Sequence, residues 1–279
     1  MPRIGVDVDR YLRSEVLPTV WCPGCGNGSI VQSLGEALQR MELEPTEVAV
    51  CGGIGCSGRT PFYVRTNAMH TTHGRALAYA TGLKLAKPSL TVVVTMGDGD
   101  ALAIGGNHFI HAARRNIDLT VLLYNNGIYG MTGGQEAPTT PHGSRTATSL
   151  AGSIEQPFNT VELAMAAGAT YVARTTTFDM QEMPLRIEEA IKHPGFSVLE
   201  ILTQCPTYYG RFNRIGDATD MLTWERDMTE NSGVKLLSRD EMVGPLMTGV
   251  FRKEIREEYT ENYRSLCKEY GGHYGAADV

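Results

Sequence analysis

The chain has 279 residues, 42% of them hydrophobic and 20% charged, with a formal net charge of −6. That length and apolar content supply a full core, and the well-mixed charge leaves no basic stripe for a nucleic-acid backbone. No run of about 18 apolar residues occurs, and "MPRIGVDVDR" lacks the apolar segment of a secretory signal. Neither a membrane span nor export is expected, and the expected location is the cytoplasm.

The first chemical feature along the chain is "WCPGCGNG", which sets Cys22 and Cys25 three positions apart. By itself this spacing fits half a zinc site, a redox pair or two ligands of a redox cluster. "NGSIVQSLGEALQRM" then carries a helical stripe, and "EVAVCGGIG" reads as a short strand entering a glycine turn. "HGRALAYATGLKLAKP" predicts a helix stopped by Pro88. "LTVVVTMGDGD" is β-branched without alternation, the pattern of a strand buried on both faces, and "IDLTVLLYNNGIYG" repeats it after the helix "GGNHFIHAARRN". From Met131 to Pro157 the chain is rich in Thr, Gly, Pro and Ser with no apolar period, and a long loop directly after a strand end is expected to be functional. A helix near "TVELAMAAG", a strand "TYVAR", a helix "MQEMPLRIEEAIKH" and a strand "FSVLEIL" follow.

This alternation predicts an α/β fold, doubly wound, with a mainly parallel sheet and helices on both faces. Functional residues should then lie at the C-terminal ends of the strands. Residues 1–205 are expected to form the cofactor-binding domain. The polar remainder, 206–279, is expected to be an extension that packs on the core or on a partner.

The strongest local signal is "GDGD" (Gly97 to Asp100) at the end of one buried strand, with Asn125-Asn126 at the end of the next. Mg²⁺ takes oxygen ligands shared between a few protein groups and substrate phosphates. Asp98 offers a carboxylate and Asn126 an amide oxygen, and a strand, helix, strand unit places the two side by side. The glycines beside Asp98 let the backbone approach a diphosphate.

"GDGDALAIGGNHFIHAARRNIDLTVLLYNNGIYG" resembles the motif of thiamine diphosphate enzymes that runs from GDG to NN. With "WCPGCGNG", "GIGCSGRTPFYVRTNAMHTTHGRALAYATG" and "QCPTYYG", residues 15 to 210 resemble the β subunit of the 2-oxoacid:ferredoxin oxidoreductases. The resemblance implies that Asp98, the Asn126 side chain and the Ile128 carbonyl hold Mg²⁺. It implies that Gly99, Asp100, Gly130 and Met131 meet the cofactor, together with Ile54, Gly55, Cys56 and Ser57. It makes His73 and Cys56 the catalytic candidates, and Cys22, Cys25, Cys56 and Cys205 the ligands of a 4Fe-4S cluster. Cys51 and Cys267 match no ligand position and are expected to be structural thiols, and His108 and His111 are expected to lie outside the site.

The family's reaction is coenzyme A-dependent oxidative decarboxylation of a 2-oxoacid, reversible, with electrons leaving through the cluster to ferredoxin. Because the chain has only one strand-helix alternation, the resemblance implies a separate α subunit that binds the pyrimidine ring, and it allows for small γ and δ subunits besides. Broad-specificity members carry Lys where Gly133 stands. "MTGGQ" with "TAT" and "EQPF" downstream is more similar to the 2-oxoglutarate branch, with 2-oxoisovalerate and pyruvate as the other substrates to weigh. Arg59 and Arg145 are candidates for a distal carboxylate. A non-oxidative thiamine diphosphate decarboxylase, which needs no cluster, is the second enzyme reading. A zinc-stabilised binding module is the third reading, for which no second CxxC pair is present.

Overall fold

The computed structural model describes residues 8–231 and 246–270. Its helices in chain order are α1 (Val8–Tyr11), α2 (Asn27–Arg40), α3 (Ala76–Ala86), α4 (Gly106–Arg115), α5 (Thr160–Ala167), α6 (Met183–Lys192), α7 (Arg211–Asn213), α8 (Ala218–Asp227) and α9 (Tyr259–Tyr270). The strands are β1 (Val48–Gly52), β2 (Asn67–His70), β3 (Thr91–Gly97), β4 (Leu119–Asn125), β5 (Ile128–Tyr129), β6 (Gln135–Glu136), β7 (Tyr171–Thr176), β8 (Phe196–Leu202), β9 (Thr229–Asn231) and β10 (Leu246–Lys253). Eight of them form one sheet in the order β2-β1-β3-β4-β8-β7-β10-β9, while β5 and β6 make a small hairpin in the loop after β4.

From β2 to β7 every neighbouring pair is parallel, as the unalternating apolar runs required. Each strand sends alternate side chains to opposite layers. Val48, Val50, Val93, Leu122 and Leu199 meet the buried faces of α2 and α6. Ala49, Cys51, Val94, Val121 and Val198 meet α3, α4 and α5 on the other side. Cys51 is thereby an ordinary buried core thiol, while Cys267 lies exposed on α9.

Three strands of this sheet, β2, β10 and the short β9 that pairs with β10, lie outside the expected alternation. β2 is polar and mostly exposed, an edge strand that owes its place to pairing with β1 and not to burial. β10 comes from the segment after residue 205 and pairs antiparallel with β7, covering the sheet on that side. Its sequence, "LMTGVFRK", carries an internal glycine and a register shift between Val250 and Arg252, which disguise the strand period. A short π-helical turn, Gly99–Ile104, also precedes α4, so the chain does not pass directly from β3 into a regular helix.

Candidate active site and metal centres

The parallel register puts the ends of β1, β3 and β4 side by side, with Gly52 opposite Thr95 and Gly97 opposite Tyr124. The turns that leave them meet in an open cleft. The turn after β1 brings Ile54, Gly55, Cys56 and Ser57 to its wall, and the turn after β3 brings Asp98, Gly99 and Asp100. The segment after β4 brings Asn126, Ile128, Gly130 and Met131, and His73 closes the cleft from the turn before α3.

Asp98 is buried, and burial pushes its carboxyl up to about 6, against hydrogen bonds from Thr139 and the Gly99 amide that act in the other direction. Asn126 Oδ1 accepts the Ile128 N–H at 3.2 Å, which folds the Asn126 to Ile128 turn beside Asp98. A carboxylate, an amide oxygen and a main-chain carbonyl form an all-oxygen donor set that suits a hard cation such as Mg²⁺. A desolvated carboxyl whose named partners are hydroxyl and amide groups is also one that a divalent cation would relieve. The residues present therefore fit the metal.

Asp100 works through its side chain as well as its backbone. Its Oδ1 accepts the N–H groups of Ile54 at 3.3 Å and Gly74 at 2.6 Å, pinning the turn after β1 to the turn before α3. His73 Nδ1 stands 2.7 Å from the same oxygen. This contact engages Nδ1 and leaves Nε2 as the ring nitrogen without that tie. Tyr129 donates from its hydroxyl to the Gly99 carbonyl at 3.2 Å. A side chain on Gly99 would run into the Tyr129 ring, its Cβ lying 2.2 Å from a ring carbon, so the close approach requires glycine there.

The thiols converge at the neighbouring end of the same strands. Trp21 Nε1 donates to the Cys56 carbonyl at 2.8 Å and its ring packs 4.7 Å from that of Tyr63, which brings the Cys22 to Cys25 turn against the turn after β1. Gly26, just after Cys25, hydrogen-bonds through its N–H to the Gln204 carbonyl at 3.5 Å, placing Cys25 beside the segment that carries Cys205. A Cβ built on Gly130 would lie 3.6 Å from both the Cys56 and Cys205 sulfurs and 4.0 Å from Asn126 Nδ2. Backbone amides point at three of the sulfurs: Asn27 at Cys25, Met131 at Cys56, and Tyr208 and Tyr209 at Cys205. Burial pushes the Cys25 thiol up to about 12 and the Cys56 thiol up to about 11, with neighbouring thiols adding to the rise, and raises Cys205 likewise. Thiolates here would call for a metal to compensate their charge. Among the described residues no three His, Cys, Asp or Glu side chains close around a single ion. Neighbouring cysteines with backbone N–H groups on their sulfurs are the donor chemistry that an iron–sulfur cluster takes, and Cys25, Cys56 and Cys205 offer it.

Sequence reasoning found the residue types with obvious chemistry and missed their supports. The Asp100 strut, the Tyr129 ring over Gly99 and the Thr139 hydroxyl on Asp98 carried no local pattern, and only the loop's position after a strand end pointed toward Thr139. His108 and His111 line a shallow groove between α3 and α4 with Thr81 and Arg115, apart from the residues of the cleft. Arg59 lies near Cys56, with its guanidinium 5.5 Å from the Phe62 ring, and Arg145 sits in the loop with its N–H on Asn213 at 2.8 Å; neither of the two arginines lines the cleft.

A cleft of this kind, at the carboxyl ends of a doubly wound parallel sheet, defines a thiamine diphosphate-binding domain. The family described as "Thiamine pyrophosphate enzyme, C-terminal TPP binding domain" matches residues 53–201. Among curated relatives, 2-oxoglutarate synthase subunit KorB of Archaeoglobus fulgidus is 52% identical over 92% of both chains, and its namesake from Methanothermobacter thermautotrophicus is 47% identical over 94% of this chain and 92% of its own. The solved structure of 2-oxoglutarate:ferredoxin oxidoreductase from Magnetococcus marinus, with 2-oxoglutarate, coenzyme A and succinyl-CoA bound, superposes with a TM-score of 0.86 at 35% identity, covering 96% of this chain and 92% of that one. The chain belongs to the KorB subunit family of 2-oxoglutarate synthases.

Proposed function

We propose that the chain is the β subunit of a 2-oxoglutarate:ferredoxin oxidoreductase, catalysing reversible, coenzyme A-dependent decarboxylation of 2-oxoglutarate to succinyl-CoA and CO₂ with ferredoxin as electron acceptor. The observation that carries the reading is the convergence at Gly130, where two cysteine sulfurs and the amide of Asn126 border the space a Cβ would fill. When bound, thiamine diphosphate supplies the carbanion-stabilising chemistry that decarboxylation needs.

In this reading Asp98, Asn126 and the Ile128 carbonyl hold Mg²⁺, and Gly99, Asp100, Gly130 and Met131 border the diphosphate. Ile54, Gly55, Cys56 and Ser57 border the reacting end, and His73 presents a ring nitrogen to the cleft. Cys22, Cys25, Cys56 and Cys205 hold a 4Fe-4S cluster that conducts electrons away. Residues 1–205 form the cofactor domain and 206–279 the extension, with an α subunit completing the pyrimidine site. The high identity to proteins named for 2-oxoglutarate supports that substrate over 2-oxoisovalerate and pyruvate.

The test is anaerobic purification with the α subunit, iron and sulfide assay, and EPR after dithionite reduction. A reduced-cluster signal with about four irons per chain is expected, whereas an iron-free active enzyme would leave only the non-oxidative decarboxylase. Turnover with the three 2-oxoacids in parallel assigns the substrate.

A further inference from the structure

Thr139 leaves the loop after β4 and buries its hydroxyl between two acceptors, Asp98 Oδ2 and Asn125 Oδ1, the second at 2.9 Å. A hydroxyl has one proton to give, so its orientation depends on which acceptor can also be served by someone else. Asn125 is fixed on both sides: its Nδ2 donates to Glu200 Oε1 at 2.7 Å, and its Oδ1 accepts the Gly127 N–H at 3.1 Å. The Asn125 amide oxygen is thus already supplied with a donor, and the Thr139 proton is free for Asp98.

Glu200 is held in turn. It is the one charged residue in the apolar strand "FSVLEIL", it is 1% exposed, and it pairs with Arg174 Nε at 2.6 Å across the register of β7 and β8. Arg174, itself 5% exposed, also donates to the Met247 carbonyl on β10 at 3.2 Å. A buried ion pair seldom stabilises a fold better than apolar side chains of the same volume, so this one, the charged pair that joins β7 to β8, calls for a second role.

We propose that Thr139 is a positioning residue that orients the Asp98 carboxylate for its cation, and that the Arg174–Glu200 pair, acting through Asn125, sets the orientation of Thr139. The inference rests on the reading of Asp98 as a Mg²⁺ ligand. Bonds to a ligating carboxylate from the shell outside it fix its direction, and losing one lowers metal affinity by about 10- to 100-fold.

The experiment uses the assembled enzyme, stripped of cofactor, with Mg²⁺-dependent thiamine diphosphate binding followed by calorimetry and iron content assayed on the same samples. Thr139→Val is expected to raise the apparent Mg²⁺ dissociation constant at least about 10-fold with iron unchanged, and Thr139→Ser to restore it. Glu200→Gln is expected to weaken Mg²⁺ in the same direction, and the double variant to be no worse than Thr139→Val alone, because both act on one bond. Wild-type Mg²⁺ affinity in Thr139→Val, or failure of Thr139→Ser to restore affinity in a protein that retains its iron, overturns the proposal. Asp98→Ala separates the two layers: if it too binds Mg²⁺ and cofactor normally, the cation site has been misplaced and not merely its support. If Thr139→Val does not fold, Asn125→Ala decides, since it removes the group through which Glu200 meets Thr139 and wild-type Mg²⁺ affinity there excludes the relay.

Discussion

Burial keeps the proton on Glu225 at neutral pH, against hydrogen bonds from the Thr177 hydroxyl and the Phe178 amide that act in the other direction. The Thr177 hydroxyl lies 2.6 Å from Gln204 Oε1 and 2.9 Å from Glu225 Oε2, so a protonated carboxyl can share this contact without leaving two acceptors to compete for one hydroxyl proton. The carboxyl is pushed up to about 8, and Gln204 is the residue before Cys205. Because the folded value lies above the unfolded 4.5, the folded chain binds the extra proton between those limits and loses stability as pH rises through them. Glu225→Gln is expected to flatten this dependence, so that wild type loses more melting temperature than the variant between pH 5 and pH 8. Parallel thermal melts across that range would rule the account out. Sequence could not reveal this group, because nothing in "TDMLTWERD" marks one acidic residue on the helix as buried. Asp98 and Asn126 were legible for the opposite reason: their residue types sit at strand ends, where a cation site needs them.

The joint between α2 and the ends of β7 and β8 is the element on which the thiols depend. A Cβ on Gly26 would lie 2.2 Å from Thr203 Oγ1, 2.6 Å from Gln204 Oε1 and 2.8 Å from Thr177 Cγ2. Gly26→Ala must therefore lift the N-terminus of α2 and carry Cys25 away from Cys205, overpacking that costs about 1–3 kcal/mol. The expected result is a folded protein with less than half the wild-type iron and sulfide per chain, and full iron content would show that the joint tolerates the shift. The long elements were legible because burial on two faces leaves an unbroken apolar run. β2 was not, since an exposed polar edge strand carries no hydrophobic period, and β10 was masked by Gly249 and its irregular register.

Over the whole molecule, the cleft is open. Ile54 and Met131 line it and are 37% and 42% exposed, an apolar cost that burial under a second chain would remove. The chain alone is expected to show no 2-oxoglutarate turnover. Addition of the α subunit is expected to restore it and to slow amide hydrogen exchange around residues 54 and 131. Exchange unchanged on assembly would place the partner elsewhere.

Gly130 gives this openness a thermodynamic edge. The sulfurs of Cys56 and Cys205 and the amide of Asn126 all border the space that a Cβ on Gly130 would fill, so groups bound by the thiols and by Asn126 are near neighbours whose binding is expected to be linked. Binding free energies linked in this way are reciprocal. Whatever factor the assembled cluster adds to cofactor affinity, bound cofactor must add to cluster affinity. The equilibrium affinity for iron on cluster reconstitution should therefore rise when thiamine diphosphate is present, by the same factor by which the affinity for thiamine diphosphate falls when the iron is gone.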